Sequence, residues 1–401
     1  MGIPATARSR YVHASPAAGL RQQLGAAVAS LAARADALLS HTPSRTRPGR
    51  KRLNLALQGG GAHGAFTWGV LDRLLEEPDL EIVGISGTSA GAMNAVVTAD
   101  GLARGGRHGA RDALEAFWHD VADAARRSVL TPTTLERALG LAEAGLYAGR
   151  FWLEGLSRLA SPYTLNPNGL NPLREVLAAS VDFERLHREA PVRLFVCATD
   201  VRGGKPRVFG PDEIGLEPVL ASAALPTLFH PVEIDGETYW DGGYVSNPPI
   251  LPLVEGTDCD DILIVQVDPL RLAEAPTSAE DIRYRVQTLG FNAGFVSEMH
   301  ALAALGRIAP TTPAPRPGGR GSLARRLLGL LRRPEPRQVR MHLVEAEAEM
   351  AELKPATKLD PDEAFLDRLF VLGRERAEGF LEESKEAIGV RSSLDVAARF
   401  L

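Results

Sequence analysis

The chain has 401 residues, of which 45% are hydrophobic and 24% charged, a balance typical of soluble globular proteins. Its formal net charge of -5 supplies no basic excess to neutralise phosphates, which excludes nucleic acid as a general partner. Cys197 and Cys259 are the only cysteines. Two cysteines provide neither a disulfide framework nor a metal-ligand pattern, so we expect no metal and a reduced, cytoplasmic setting.

Residues 1–52 form a basic leader, in which Asp36 is the only acid. Within it, residues 20–39 place apolar side chains at helical spacing, and residues 323–333 form a second basic amphipathic stretch. Both could lie on anionic lipid, although a mobile or loosely docked tail is the favoured interpretation of the leader. Because the first residues contain no continuous apolar run and no apolar run in the sequence is long enough to span a bilayer, we expect no secretory signal and only peripheral membrane contact.

The globular part is expected to begin at Leu53. Residues 53–58 predict a strand, 65–76 a helix, 81–86 a second strand and 90–99 a second helix. A repeated strand-turn-helix pattern indicates a parallel sheet with helices on both faces.

Further elements extend this pattern toward the C-terminus. We predict strands at 192–198, 207–209, 262–267 and 339–345, mainly helical structure over 110–180, and closing helices over 361–387. The predicted organisation is a leader (1–52), a catalytic domain (53–270) and a mainly helical extension (271–401) with a Pro/Gly/Arg-rich insertion at about 309–338.

The first chemical signal is the run Gly87-Thr88-Ser89-Ala90-Gly91 between a predicted strand and a predicted helix. A nucleophilic serine needs a sharp strand-to-helix turn with small neighbours, and Gly87 and Gly91 provide that space. The helix that follows offers backbone N–H groups to a developing negative charge. The motif is weak alone, but its position favours a nucleophile elbow at Ser89.

The second signal is the run Gly59-Gly60-Gly61-Ala62-His63-Gly64, which also lies between a strand and a helix. Glycine N–H groups can approach an oxyanion closely because no Cβ intervenes. The same run matches the dinucleotide-binding fingerprint, with Asp79 or Glu81 near the spacing of a ribose-binding acid. That alternative explains the loop but gives no reason for the second elbow at Ser89.

The third signal is the run Trp240-Asp241-Gly242-Gly243-Tyr244. An aspartate before two glycines is usually a turn residue that accepts from nearby backbone N–H groups. Taken alone, this pattern therefore predicts only a turn.

Together and in this order, the three runs resemble the patatin-like phospholipase family. Two further stretches strengthen the resemblance, Cys197-Ala198-Thr199-Asp200 and Ala221-Ser222-Ala223-Ala224-Leu225-Pro226, and the whole covers roughly residues 53 to 270. The resemblance implies a three-layer α/β/α sandwich with a mostly parallel central sheet. It also implies hydrolysis of lipid acyl esters without a cofactor.

The resemblance further implies a Ser-Asp dyad, in which Ser89 attacks the ester and Asp241 accepts its proton, with backbone N–H groups of Gly59, Gly60 and Gly61 as the oxyanion hole. The family usually carries Arg or Lys where this chain has His63, which weakens the positive charge of the loop. A carboxylate serves as a base only if burial raises its pKa.

Alternatives remain at this point. His300 and His342 follow Asp241, as a Ser-Asp-His order would require, but neither lies in a recognisable turn motif, and both read as ordinary helix or strand residues. The competing functions are a dinucleotide-binding protein that uses the Gly59–Gly64 loop and a non-catalytic protein of the membrane surface.

Overall fold

A computed structural model describes residues 49–127, 161–312, 337–353 and 355–401. The basic stretches at 20–39 and 323–333 lie outside the described residues. The first strand begins at Lys51, two positions before the predicted start of the globular part. Both cysteines are buried and free.

The centre of the described structure is one eight-stranded sheet in the order β5-β6-β3-β2-β1-β7-β8, with β4 paired to β3. Strands β8, β7, β1, β2 and β3 run parallel, whereas β4, β5 and β6 form antiparallel pairs. The strands are β1 (Lys51–Leu57), β2 (Leu80–Thr88), β3 (Arg193–Asp200), β4 (Lys205–Phe209), β5 (Val232–Ile234), β6 (Glu237–Asp241), β7 (Asp261–Val265) and β8 (Arg340–Val344).

The described helices connect and cover these strands. They are α1 (Gly64–Leu75), α2 (Ala90–Arg127), α3 (Pro162–Leu165), α4 (Pro172–Ser180), α5 (Phe183–Glu189), α6 (Leu216–Ser222), α7 (Leu251–Gly256), α8 (Ala279–Ala304), α9 (Glu347–Ala351), α10 (Glu363–Ser384) and α11 (Val396–Phe400). Short 3₁₀ turns lie at Gly61–His63, Pro211–Glu213, Gly242–Tyr244, Pro355–Leu359 and Lys385–Ala387. Helix α2 is kinked at Gly105 and Gly106. None of the helices in the described ranges combines the length and apolar character needed to cross a bilayer.

Successive side chains of the strands pack into two separate hydrophobic cores, one on each face of the sheet. On β1, Leu55 and Leu57 join a buried cluster with α1, α2 and α10, while Ala56 joins a second cluster with α7, α8 and α11. Side chains of a strand point alternately to opposite faces, so helices cover the sheet on both sides. The predicted α/β/α sandwich is therefore confirmed.

The hairpin of β5 and β6 was not predicted. Its turn residues, Asp235 and Gly236, both have positive φ (53° and 80°). Two such residues form the tight turn whose twist matches antiparallel strands, and Asp-Gly is a favoured pair for it. As a result Asp241 ends a strand that pairs with β3, where it lies opposite Ala198.

Residues after 270 contribute to the same sandwich. Strand β8 extends the sheet beside β7, and α10 packs on α1. The two helices meet at backbone contact, because a Cβ on Gly69 would collide with the carbonyl of Phe370 and one on Gly373 with that of Phe66. This contact fixes the start of α10 and the Pro355–Leu359 turn before it.

Candidate active site

Ser89 lies in the turn between β2 and α2, where its φ of 55° is a left-handed conformation rare for a residue with a side chain. Small neighbours make this turn possible: a Cβ on Gly91 would collide with the carbonyl of Leu57, and a Cβ on Gly87 would meet the carbonyl of Gly91 at 2.5 Å. Ser89 is only partly buried. The turn has the geometry expected of a nucleophile elbow.

A second serine holds this elbow. The backbone N–H of Ser89 donates to the hydroxyl of Ser222 at 2.9 Å, and that hydroxyl donates to the carbonyl of Cys197 at 2.6 Å. Ser222 is fully buried at the end of α6. It therefore links the elbow to β3, the strand that also pairs with the end of β6.

Asp241 is buried beside the elbow, with 2% of its surface exposed. Its carboxylate accepts from the N–H of Gly243 at 2.7 Å, and the hydroxyl of Ser89 lies near enough to lower the pKa of the carboxyl. Its backbone carbonyl accepts from the hydroxyl of Thr199 at 2.7 Å. Ser89 and Asp241 are thus brought together in one site. The bond to Gly243 is the turn bond that the isolated motif predicts.

The environment of Asp241 changes its acidity. Burial raises the pKa of its carboxyl to about 6, and the N–H of Gly243, the hydroxyl of Ser89 and the charge of Lys358 oppose that rise. A carboxyl with this pKa is largely ionised at neutral pH and still takes up a proton more readily than an ordinary aspartate does.

The glycine loop follows β1 and lies against the elbow. A Cβ on Gly59 would stand 2.7 Å from the Cβ of Ser89. The N–H of Gly59, however, donates to the side-chain oxygen of Asn247 at 2.7 Å. The sequence predicts Gly59 as an oxyanion donor, whereas in this structure its N–H is bonded to the side chain of Asn247.

Gly60 and Gly61 remain as candidate donors. Across the described ranges, neither N–H is bonded to an acceptor. Gly61 has a φ of 61°, and a Cβ there would collide with the carbonyl of Lys358.

Of the other residues in this motif, Ala62 is buried, and a Cβ on Gly64 would press on the Cβ of Ala90. A Cβ on Gly242, next to Asp241, would likewise collide with the carbonyl of Cys197.

Gln58 and Asn247 hold the loop in place. The amide of Gln58 donates to Asn292 at 2.8 Å, and its oxygen accepts from the N–H groups of Val267 and Asp268, both at 2.7 Å. All of these polar groups are buried. Buried polar networks with satisfied partners are rigid, which keeps the N–H groups of the loop oriented before any ligand binds.

His63 does not face Ser89. It is buried, its Nε2 lies 2.8 Å from the hydroxyl of Thr357, and its ring meets that of Phe365 edge-on. Burial, and then the charge of Lys358, lowers the pKa of His63 to about 3. The imidazole is therefore neutral at physiological pH and cannot supply the positive charge that the family usually has at this position.

Lys358 lies near both residues, and its positive charge lowers the pKa of His63 and that of Asp241. Its ammonium group pairs with Asp268 at 2.5 Å; 13% of the lysine side chain is exposed and none of the aspartate. The backbone of Lys358 lies against Gly61. Lys358 thus brings a buried positive charge to the glycine loop from the turn before α10.

The two histidines weighed as third members of a triad are engaged elsewhere. His342 lies between Asp261 (3.1 Å) and Ser393 (2.9 Å). His300 bonds to the carbonyl of Phe400. Their interpretation as ordinary structural residues is confirmed.

The dinucleotide alternative fails on topology. Asp79 and Glu81 lie at the start of β2, whereas the Gly59–Gly64 loop follows the end of β1. Because β1 and β2 are parallel, these positions are at opposite edges of the sheet, about 20 Å apart for strands of this length. Neither acid can reach a ribose held on the glycine loop.

Four residues of the site were not assigned by the sequence: Gln58, Ser222, Asn247 and Lys358. Ser222 lies in a stretch quoted for the family resemblance, and Gln58 is a polar residue that ends an apolar strand, so both carried a weak signal. Asn247 lies 188 residues after its partner Gly59. No local pattern relates Lys358 to the loop.

Replacing Ser222 with alanine tests its role in holding the elbow. Ser222→Ala leaves the N–H of Ser89 and the carbonyl of Cys197 without their partner. We expect the free energy of unfolding to fall by about 1–3 kcal/mol, as measured by urea titration. Ser180→Ala is the control, because that hydroxyl bonds only the carbonyl of Val176 in its own helix. Equal stability of the two variants would contradict the assignment.

Comparison with known proteins identifies the family of this chain. Residues 55–254 match the family model described as Patatin-like phospholipase. Uncharacterized NTE family proteins of Mycobacterium bovis and Mycobacterium tuberculosis are 27% identical over 246 residues, which is 59% of this chain. The match spans only 56% of the length of these curated relatives.

Two solved structures share a low overall similarity. Human GIVD cytosolic phospholipase A2, in complex with methyl gamma-linolenyl fluorophosphonate, aligns with a TM-score of 0.40 and 13% identity, covering 89% of this chain and 61% of that one. VipD from Legionella pneumophila gives a TM-score of 0.32 and 16% identity, with coverages of 81% and 67%.

The family match includes the glycine loop from Gly59, the elbow at Ser89 and the turn at Asp241, in the order in which the sequence presents them. The chain belongs to the patatin-like phospholipase family.

Proposed function

We propose that the protein hydrolyses acyl esters of phospholipid-like lipids through an acyl-Ser89 intermediate. The observation that carries this proposal is the position of Ser89, in its left-handed turn, beside the buried carboxylate of Asp241. Membership of the patatin-like phospholipase family supports a lipid acyl ester as the substrate class.

In the first half-reaction, the Ser89 oxygen attacks the carbonyl carbon while its proton passes to Asp241. The carbonyl oxygen becomes an oxyanion, which accepts from the N–H groups of Gly60 and Gly61 and lies near the N-terminus of α2. When the intermediate collapses, the C–O bond to the alcohol breaks. Asp241 returns the proton to the leaving alcohol oxygen.

In the second half-reaction, Asp241 accepts a proton from water, whose oxygen attacks the acyl carbon. The ester bond to Ser89 then breaks, the serine recovers its proton and the fatty acid leaves. A raised pKa suits both roles of the carboxyl, because one group must accept and donate in turn. The scheme uses no cofactor and no metal.

The proposed substrate resides in a membrane, so we also propose peripheral contact with anionic lipid through 20–39 and 323–333 and a cytoplasmic location. Both stretches are basic and amphipathic in sequence. Attraction of this kind is weakened by salt, because ions screen the headgroup charge.

A fluorophosphonate probe tests the proposed nucleophile. The probe is expected to label the wild-type chain on Ser89, as identified by mass spectrometry of the tryptic peptide, and Ser89→Ala is expected to remain unlabelled. An exposed serine on α8 provides the matched control: Ser297→Ala should be labelled like the wild type.

Activity on short soluble acyl esters completes this test. Hydrolysis should disappear in Ser89→Ala and persist in Ser297→Ala. A wild-type chain that is neither labelled nor active, yet still binds vesicles, would instead favour the non-catalytic membrane-surface alternative. Full esterase activity of Ser89→Ala would exclude the acyl-serine mechanism.

A further inference from the structure

Helix α8 exposes apolar side chains on its outer face. Ile282, Val286 and Leu289 are 46%, 64% and 52% exposed, and Ala293 is exposed as well. Their spacing of i, i+4, i+7 and i+11 places all four on one side of the helix. This stripe, residues 282, 286, 289 and 293, gives the helix an apolar outer face in addition to its buried inner face, whereas the outward side of a surface helix is usually polar.

The inner face of the same turns forms part of the wall of the candidate site. Phe291 is buried; its ring lies 4.9 Å from that of Tyr244 and close to Gly243, two residues after Asp241. A Cβ on Gly294 would collide with the carbonyl of Val245. The stripe is therefore separated from the Asp241 turn by about one helix diameter, roughly 10 Å.

Basic side chains flank the stripe. Arg283 is exposed, and Arg285 is anchored by a 2.7 Å bond to the carbonyl of Leu270. At about 100° per residue, they lie about 100° to one side of Ile282 and about 60° to the other. Guanidinium groups bind phosphates well. On a phospholipid surface, the apolar stripe would therefore contact the acyl chains, and the two arginines beside it would contact the phosphates of the headgroups.

A second copy of the chain fits this face less well. The stripe is about 16 Å long and one helix face wide, about 200 Å², whereas a stable interface buries about 800 Å² on each partner. A lipid surface has no such area requirement.

We infer that the outer face of α8 is the surface by which the protein seats on a phospholipid bilayer, with Asp241 and Ser89 about one helix diameter beneath it. The inference rests on the proposed function, since it assigns the bilayer as the source of the substrate. It adds a contact within the described residues to the contacts proposed for the basic stretches at 20–39 and 323–333.

The test uses the full chain and the triple variant Ile282→Gln/Val286→Gln/Leu289→Gln, in which glutamine preserves helix propensity. The control is Leu305→Gln/Val371→Gln/Val390→Gln, which removes three apolar side chains exposed outside the stripe. Binding is measured by sedimentation with vesicles of phosphatidylcholine alone and of phosphatidylcholine with phosphatidylglycerol, in low and high salt.

We expect the stripe variant to lose at least about tenfold in binding to both kinds of vesicle, because apolar contact drives the insertion. The loss should persist in high salt, where contact through basic stretches is screened. Hydrolysis of a soluble short-chain ester and labelling of Ser89 should remain at wild-type levels, while hydrolysis of vesicle lipid should fall with binding. The control variant should behave as the wild type in every assay.

Two results would overturn the inference. One is vesicle binding equal to wild type in the stripe variant. The other is a wild-type dimer that the stripe variant converts to monomer, since the stripe would then face a second copy. Failure of the proposed function can be recognised separately. If the wild-type protein binds vesicles through the stripe but Ser89 is not labelled, the acyl-serine mechanism is wrong, while the assignment of the membrane-binding face stands.

Discussion

Replacing Asp241 with asparagine is expected to lower kcat/KM for a soluble acyl ester by about 10²–10⁴-fold, the range that a general base contributes. Asparagine keeps an oxygen that can accept from the N–H of Gly243, so the turn should persist. It cannot take a proton from Ser89. The measurement is the initial rate at pH 8, with the exposed Asp212→Asn as the control at wild-type rate.

The pH dependence of the wild type follows from the same group. The carboxylate must be ionised to accept the proton, and burial raises its pKa to about 6. The rate should therefore be constant above this pH and fall tenfold per pH unit well below it. Asp241→Asn should lack this limb. An unchanged limb in the variant would assign the base to another group.

The stability of this variant separates lost chemistry from lost folding. The folded-state pKa of about 6 lies above the unfolded value of about 3.9, so the folded state binds the proton more tightly. The contribution of this carboxyl to stability is then greatest at low pH and decreases as the pH rises through this window. At pH 8 the ionised, buried carboxylate costs up to about 3 kcal/mol, so Asp241→Asn should unfold at the wild-type temperature or above it.

The sequence predicted those parts of the site that rest on local patterns. The elbow at Ser89 follows from a strand, small residues and a helix within one short stretch. Asp241 was found only through resemblance, because its own pattern predicts a turn, and the structure contains that turn as well. Asp241 therefore has two roles: it forms the turn through its bond to Gly243, and it is the candidate base.

The parts that were missed depend on distant partners. Gly59 has the composition of an oxyanion donor, but Asn247 occupies its N–H, and only the folded chain brings them together. The β5–β6 hairpin had a local signal in Asp235-Gly236 that was not used. Lys358 had none, since the packing of α10 on α1 determines the position of the turn that carries it.

Replacing Lys358 with methionine is expected to have the largest effect on stability. The substitution leaves the fully buried carboxylate of Asp268 without its partner. Removing one member of a buried ion pair costs about 3–5 kcal/mol, so the urea midpoint should fall accordingly. The double variant Lys358→Met/Asp268→Leu should recover most of this loss, because a buried pair can be replaced by apolar residues at little cost.

The same substitution should also change the acidity of the proposed base. The positive charge of Lys358 lowers the pKa of Asp241 against the dominant effect of burial, so its removal should move the acidic limb of kcat/KM above pH 6. The single variant should show the larger shift, because Asp268 then remains as an unpaired negative charge. Lys358→Arg keeps the positive charge and should leave the limb close to its wild-type position.

These two measurements separate a structural cation from one that also acts on the site. If Lys358 only completed a buried pair, the single variant would lose stability and the double variant would regain it, but both would keep the wild-type limb. A limb that moves in both variants, and stays in place with arginine, requires the charge itself to act on Asp241. Because His63 is neutral, such a result would mean that the turn before α10 provides the charge that the family usually carries in its glycine loop.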